Sequence, residues 1–330
     1  MSQYVGLLHS GLKTPVKDQV TALKNKLGGV TLTETYADND VEALEDNAEA
    51  FVGDPNCLVI IAAGGTLAAV VAQQVTERQD DDPKKRKPVV FTTVQDPGPQ
   101  GLNLVDTLAI PGRNLTGTAG QTSELDPMRL KLLVALASIT APSKVGLLLK
   151  RDRKREDVQY QNLKNATNLE LIRVEVSTSH KLKNIFKFFR KENAGGVVVG
   201  ADSFFNSNRT DVVKAANDTT TGLPTVYQWR QFVEAGGLMS YGPEITEAYE
   251  NAGVIAKQII NGASVGQISC LLPTRYSLVV NTVTAATLGL NVPDNVLGVT
   301  VEKYPPQSPK KGGRRRSGLA GRHGRRRRSK

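Results

Sequence analysis

Short apolar runs and helix-spaced apolar positions alternate along almost the whole chain. Val5–Leu8 reads as a strand, and Thr14-Pro15 starts a helix whose Val16, Val20, Leu23 and Leu27 recur at helical spacing. Thr31–Thr35 reads as a second strand and Val41–Phe51 as a helix. Leu58–Ala63 is a third, very apolar strand that runs through Gly64-Gly65-Thr66 into an alanine-rich helix ending near Gln74. Val89–Val94 is the fourth strand; the charged stretch Glu77–Pro88 before it reads as a solvated surface insertion. Beyond Asn114–Thr118, where a first crossing between lobes is expected, the rhythm starts again. Leu125–Ser138, Asp157–Ala166, Leu182–Arg190 and Asp211–Ala216 are predicted helices, and Val145–Leu149, Leu169–Val176, Gly196–Val199 and Pro224–Tyr227 predicted strands. Such alternation predicts parallel sheets covered by helices on both faces.

Tyr227–Pro243 then reads as a short strand, a polar-aromatic helix and a glycine hinge. Gly236-Gly237 has backbone freedom, and Tyr241-Gly242-Pro243 fixes an extended exit. The helix Thr246–Ile260 returns the chain to the first lobe. A third crossing near Leu272–Tyr276 places the strand Ser277–Asn281 and the helix Thr282–Leu288.

Composition adds that 330 residues, 39% hydrophobic and 22% charged, suffice for two lobes that each bury a core. The formal net charge of +10 comes from one end. Residues 305–330 hold eleven Lys or Arg (Lys310-Lys311, Arg314–Arg316, Arg322, Arg325–Arg328 and Lys330) and no acid, leaving 31 basic against 32 acidic residues elsewhere, a net charge of −1. The body therefore carries no electrostatic bias toward nucleic acid. The tail is too poor in apolar residues to offset chain entropy and is expected to be disordered, with contact to nucleic acid or an anionic surface an expectation for it alone.

No apolar run approaches the ~20 residues that span a membrane. Cys57 and Cys270 are the only cysteines, and a disulfide between them and two separate core or loop thiols both stay open. The three histidines, His9, His180 and His323, sit in no Ser-His-Asp or Cys-His context, no phosphate-binding glycine motif is present, and no His/Cys pair has zinc spacing. An enzyme is not expected, nor a cofactor or metal.

Three segments, Tyr227–Pro243, Pro88–Pro97 and Pro111–Gly117, resemble the ABC-transporter substrate-binding family that includes tryptophan and tyrosine binders, and the likeness runs from the first strand to about Gly298. It implies the type I periplasmic-binding-protein fold: two Rossmann-like α/β lobes with parallel sheets joined by three hinge crossings. The lobes are expected over 1–115 with 244–272 and over 116–243 with 273–304, followed by the basic tail 305–330. The resemblance also implies capture of a small molecule, such as an amino acid with a flat side chain, by hinge closure of a monomer that docks on an ABC permease. It implies a periplasmic address. Met1–Ser10 enters the first strand with no basic n-region or apolar h-region, which makes the cytoplasm, and an intracellular ligand sensor, the alternative.

In open parallel sheets ligands bind beyond the carboxyl ends of the strands. That rule selects His9-Ser10, Gly64-Gly65-Thr66 and Gln95-Asp96 in the first lobe, and Lys150-Arg151-Asp152, Ala201–Phe205 and Gln228-Trp229 in the second. Thr66 begins a helix, so its N–H and hydroxyl suit a carboxylate; a tight turn without ligand is the alternative. Asp96 suits a ligand amine or caps the turn before Pro97. His9 reads as a rim or satisfied polar residue as readily as a contact. Asp202 resembles the family's acidic residue at this place, and Thr118 lies on the expected crossing. Phe204, Tyr227, Trp229 and Tyr241 form either an aromatic wall or lobe core, Tyr241 being the one expected to line the hinge.

Overall fold

The computed structural model describes all residues except 1, 12, 14–15, 83, 100, 121–124, 152–159, 219, 221 and 306–330. The expected helix start at Thr14-Pro15, the first three residues of the Asp157–Ala166 helix, Asp152 and nearly all of the basic tail lie outside the described residues, while residues 160–165 are helical as expected.

Five parallel strands make the first sheet: β1 (Tyr4–His9), β2 (Thr31–Tyr36), β3 (Cys57–Ala63), β4 (Val89–Gln95) and β5 (Leu115–Gly120), in the order β2-β1-β3-β4-β5. Helices α1 (Lys17–Leu27), α2 (Val41–Gly53) and α3 (Thr66–Gln79) connect the first four strands. β3 is apolar throughout because both its faces are covered. Val59, Ile61 and Ala63 pack with α1, whereas Ile60 and Ala62 pack with α2 and α3. Asp40 starts α2 by accepting the amides of Glu42 (2.9 Å) and Ala43 (3.2 Å).

The second sheet has eight strands: β6 (Lys144–Lys150), β7 (Leu171–Val176), β8 (Ala194–Val199), β9 (Thr225–Tyr227), β10 (Met239–Pro243), β11 (Tyr276–Asn281), β12 (Asn295–Val296) and β13 (Val299–Tyr304). Their order is β12-β13-β11-β10-β9-β8-β6-β7, parallel from β7 to β10, with β11 antiparallel to β10 and β13 parallel to β11. α4 (Asp126–Leu136) covers one face, with Leu130, Leu133 and Leu136 against Leu147 and Leu149. α5 (Leu182–Lys191), α6 (Ser203–Ser207), α7 (Arg209–Ala216) and α8 (Arg230–Glu234) cover the other, where Leu148 meets Phe186 and Phe189. Burying each such side chain contributes about 1.5–3 kcal/mol, so apolar burial stabilises both faces of both sheets.

α9 (Ile245–Ile260) follows β10 but packs against α1 and the first sheet, and β11 then rejoins the second; α10 (Thr282–Thr287) completes it. The chain thus passes between the sheets three times, after Gly120, after Pro243 and after Cys270-Leu271, as the type I architecture requires.

Several local expectations need correction. Leu115–Gly120 is no crossing: it pairs with β4 from Val89↔Leu115 to Gln95↔Gly120, so the first passage comes later. Gly236-Gly237 is the turn between α8 and β10 inside the second sheet's half. A Cβ at Gly237 would stand 2.5 Å from the Tyr227 ring and 2.8 Å from the Phe232 carbonyl, so close packing requires this glycine. The Glu77–Pro88 stretch is solvated only in part. Asp81, Asp82, Lys84 and Lys85 are exposed, but Lys87 is buried and its Nζ donates to the carbonyls of Phe51 (2.8 Å) and Asp54 (2.6 Å) at the end of α2. A cation is favoured at that helix end; burial nevertheless lowers its pKa. β12 and β13 extend the second sheet where no element was foreseen.

Candidate functional site

The carboxyl ends of β1 and β3 lie side by side, His9 paired with Ala63. The Ser10 amide donates to the Ala63 carbonyl (3.1 Å) and its Oγ to the Gly64 carbonyl (3.0 Å). Gly64 (φ 87°) and Gly65 (φ 111°) both take left-handed backbone angles open to glycine. A Cβ at Gly64 would overlap Ser10 Oγ and approach His9 Cε1 to 3.0 Å, so this glycine is what lets His9 and Ser10 meet the turn. Gly65 is the N-cap of α3 and supplies no side-chain cap, and nothing lies within 4 Å of where its Cβ would be. The first amides of this 14-residue helix, with Thr66 at its head, are therefore placed to receive an anion.

His9 is 4% exposed and its ring tilts against Tyr36, centroids 5.4 Å apart. Burial pushes its pKa down. Its Nδ1 accepts the Gly11 amide at 2.9 Å, so the neutral ring carries its proton on Nε2, which has no partner among the described residues. Gln95 is half-buried at the end of β4. Asp96 is exposed at φ 49°, and its carbonyl accepts the Leu102 amide (2.9 Å), which shapes the turn. Thr118 is fully buried within β5, opposite an irregularity in β4, and bridges to Leu271. The hydroxyls of Thr118 and of the neighbouring strand's Thr92, a residue sequence reasoning missed, both lack a partner among the described residues.

At the second sheet, Asp202 is the N-cap of α6 and accepts the Phe204 amide at 2.7 Å. Its carbonyl accepts Gln228 Nε2 (3.1 Å), joining the ends of β8 and β9. Lys150 Nζ lies 4.1 Å from the centre of the Phe204 ring and donates to the Ser177 carbonyl (3.0 Å). Phe204 and Trp229 are half-buried against the core of one face. The aromatic wall is not continuous, however. Tyr227 is core, fully buried and stacked on Phe232 at 4.7 Å, whereas Tyr241 packs with the opposite face and stacks on Tyr276 at 6.2 Å. The structure thus groups His9, Ser10 and Gly64–Thr66 in one cluster and Asp202, Phe204 and Gln228 in another, with Trp229 beside the latter.

Charged residues at the passages between sheets escaped the sequence reading. Arg129 and Asp126 at the head of α4 are both fully buried, Nη1 to Oδ1 at 2.6 Å, and Arg129 Nε donates to the Tyr241 carbonyl at 2.7 Å. This ties the helix after the first passage to the strand before the second. At the start of α9, Glu247 accepts the Thr274 hydroxyl and the amides of Thr274 (3.1 Å) and Arg275 (2.9 Å), while the Glu244 amide donates to the Arg275 carbonyl (3.0 Å). Burial alone would raise the Glu247 pKa; the Thr274 and Arg275 donors outweigh it and hold the pKa below the ordinary carboxylate value. The third passage runs beside β5, with the Ala119 amide on the Leu271 carbonyl (2.8 Å). The i,i+3 spacing of Asp126 and Arg129 was the only sequence signal for any of these ties.

Cys57 and Cys270 are free and buried, so the disulfide alternative falls away. Among the described residues, no group of three or more His, Cys, Asp or Glu is arranged to hold a metal, and no helix is long and apolar enough to cross a membrane.

Comparison with known proteins adds to this geometry. A tyrosine-binding protein of Clostridioides difficile (strain R20291) is 26% identical over 208 residues, 62% of this chain and 57% of the relative, so the chain spans little more than half of that protein. An ABC domain from Streptococcus pneumonia in complex with L-Trp superposes with a TM-score of 0.69 at 20% identity, covering 90% of this chain and 100% of that one. The ligand-free, open structure of a substrate-binding protein with adhesive properties from Clostridium difficile gives 0.68 at 22% identity, over 91% and 99%. At these identities the likeness shows the fold, two α/β lobes of the periplasmic-binding-protein kind. Residues 8–303 match the family model for ABC transporter substrate binding proteins, and the chain belongs to that family.

Proposed function

We propose that this protein is the solute-binding component of an ABC importer and takes an amino acid, with a flat aromatic side chain such as that of tyrosine or tryptophan, between its two sheets. The observation that carries this reading is the cluster of Ser10, Gly64, Gly65 and Thr66, an open glycine turn feeding an uncapped helix start at the adjoining ends of β1 and β3. A carboxylate there meets unpaired amides and the Thr66 hydroxyl, and the exposed Asp96 at the end of β4 receives the ammonium group. Asp202, Phe204 and Trp229 supply the facing side, where half-buried rings suit a planar group. The tyrosine and tryptophan named for the relatives support that class of ligand.

Closure is then a population shift. A ligand that touches both lobes only in the closed arrangement favours that arrangement by its extra contacts, and the closed form docks on the permease. Delivery to a permease places the capture step on the outer side of the inner membrane. The test is a thermal-shift and calorimetric screen with L-tyrosine, L-tryptophan, L-phenylalanine, L-leucine and sugars. A ligand at about a hundred times its Kd adds roughly 2.7 kcal/mol of stability. A selective response to the aromatic amino acids is expected; no response from folded protein, or a response to sugars alone, overturns the reading.

A further inference from the structure

Exposed cations on other helices of this protein reach acids: Lys24 of α1 pairs with Glu34, and Arg78 of α3 with Glu45 and Glu49 of α2. α5 departs from that pattern. Residues 181–191 hold five exposed cations, Lys181, Lys183, Lys187, Arg190 and Lys191, and no acid. Lys183 pairs with Asp218 at 2.9 Å, and the other four form no salt bridge with a described residue. Leu182, Phe186 and Phe189 turn the opposite side of the helix into the core beside α7 and β8. Lys183, Lys187 and Lys191 follow one another at i,i+4, a row about 12 Å long in which like charges repel. Arg190 and Lys191 suit the carboxyl end of the helix, but the first turn, where acids are favoured, holds Lys183 and no acid.

The same side presents Phe188, which is 42% exposed and lies three residues from Lys191. The repulsion along the row and the ring left in water are both relieved by one kind of partner: a surface dense in negative charge with an apolar layer directly beneath it. There the ammonium groups stay among the head groups while the ring reaches inward. Nucleic acid also offers phosphates, but its recognition favours the planar fork of arginine, and four of these five cations are lysines, compact point charges that an anionic lipid surface attracts by charge. α5 joins β7 to β8, which are parallel through β6, so it runs along the flank of the second sheet, and a surface against its outer side does not have to cover the strand ends at Asp202 and Trp229. We propose that the outward face of α5 is a membrane-contact surface that seats on anionic phospholipid head groups with Phe188 entering the interface. On the importer reading the protein meets its permease at a bilayer, which brings such a surface within reach; the contact itself involves no solute.

The experiment uses the full chain, so that residues 306–330 are the same in every variant, and places the reporter in the face itself. Phe188→Trp is titrated with vesicles of phosphatidylcholine and phosphatidylglycerol that carry brominated acyl chains, and the wild-type protein, whose sole tryptophan is Trp229, supplies the background. Quenching of the added emission and its shift to shorter wavelength are expected with these vesicles and not with pure phosphatidylcholine, and both should fade as salt rises from about 0.05 to about 0.5 M. Each cation near an anionic surface favours binding about fivefold, so adding Lys187→Gln, Arg190→Gln and Lys191→Gln to the reporter should raise the lipid needed for half-quenching roughly 100-fold. All three side chains are exposed, so circular dichroism should show an unchanged fold. Sedimentation of the wild-type chain and of the triple glutamine variant with the same vesicles repeats the comparison without the reporter. Emission left unquenched by anionic vesicles, equal quenching by neutral ones, or a triple variant within about twofold of its parent each overturns the proposal. So does a triple variant that loses its hold on a single-stranded oligonucleotide while its lipid binding is unchanged. Solute binding does not enter the readout, so this outcome is separate from that of the importer reading.

Discussion

Arg129 offers the sharpest test of how the second sheet's half is tied together where the chain enters and leaves it. Its guanidinium is fully buried, pairs with the equally buried Asp126 at 2.6 Å and donates to the Tyr241 carbonyl at 2.7 Å, two residues before the chain leaves the second sheet. Burial lowers its pKa, against the pull of Asp126, which marks how much hydration the cation gave up. In Arg129→Met the Asp126 carboxylate stays in the core without the guanidinium. Breaking a buried pair from one side costs about 3–5 kcal/mol, and the Tyr241 carbonyl loses a charge-assisted donor. Replacing both members behaves differently. Apolar residues of similar volume in place of a buried pair are neutral or better by about 1–4 kcal/mol, so Asp126→Leu with Arg129→Met recovers most of the loss and retains only the roughly 1–3 kcal/mol of the orphaned carbonyl.

Urea unfolding followed by far-ultraviolet circular dichroism and by the emission of Trp229, the sole tryptophan, reports on the half that holds the pair. The single variant should lose at least about 3 kcal/mol and the double variant distinctly less, a large favourable coupling in the double-mutant cycle. A single variant within about 1 kcal/mol of wild type, or a double variant as damaged as the sum of the two singles, refutes the account of the pair as a mutually dependent tie.

Three further outcomes follow from the same structure. Gly64→Ala places a Cβ on Ser10 Oγ at a left-handed φ and should cost about 1–2 kcal/mol in stability; on the proposed function, it should also weaken L-tryptophan or L-tyrosine binding roughly tenfold by calorimetry, and an unchanged affinity would remove the β1–β3 turn from the site. Glu247 has a folded pKa below its unfolded value, so its contribution is present above about pH 4.3 and fades as pH falls through the folded pKa. Glu247→Gln should therefore lower Tm at pH 7 and show a flatter decline between pH 5 and 3 than wild type, and parallel curves would discard the clamp on Thr274 and Arg275. His9 acts with the same sign in a higher window: its folded pKa lies below the ordinary 6.5, so stability falls as pH drops below that value, and His9→Gln should flatten the Tm profile between pH 7 and 5. A profile identical to wild type would show that His9 does not titrate against burial.

How far the fold was legible depended on whether one segment held its own signal. β3 and α9 did: a seven-residue apolar run flanked by Asp54 and Gly64, and a sixteen-residue stretch with Ala248, Ala252, Ile255 and Ala256 on one face. β10 did not. Tyr241-Gly242-Pro243 has turn chemistry, and the segment becomes a strand because β9 on one side and β11 on the other pair with it. Leu115–Gly120, with two glycines in six residues, likewise owes its strand to β4, so the crossing expected at Asn114–Thr118 falls after it. The ends of β1, β3, β8 and β9 were legible because a topological rule chooses loops without needing side-chain positions. What that rule cannot supply is orientation, and so of Tyr227 and Tyr241, equally aromatic in sequence, the first lies in a core and the second packs half-buried on the opposite face of the same sheet.

The passages between sheets explain why the missing residues were polar. A chain crossing from one sheet to another leaves the ladder that satisfies its amides and carbonyls, yet here it does so partly buried, where each unpaired group is costly. The protein meets those groups with charged side chains: Arg129 for the Tyr241 carbonyl, Glu247 for the Thr274 and Arg275 amides, and, at the end of α2, Lys87 for two more carbonyls. In a hydropathy pattern each of these reads as a solvent-facing charge, because a buried charge and an exposed one have the same letter and the same helical spacing. The passages between the sheets therefore rest in part on residues the apolar pattern assigns to the surface. Glycine freedom contributes elsewhere: Gly236-Gly237 serves close packing against Tyr227, and the bend between lobes falls after Pro243, where the Glu244 amide and the Arg275 carbonyl hold two crossing segments side by side.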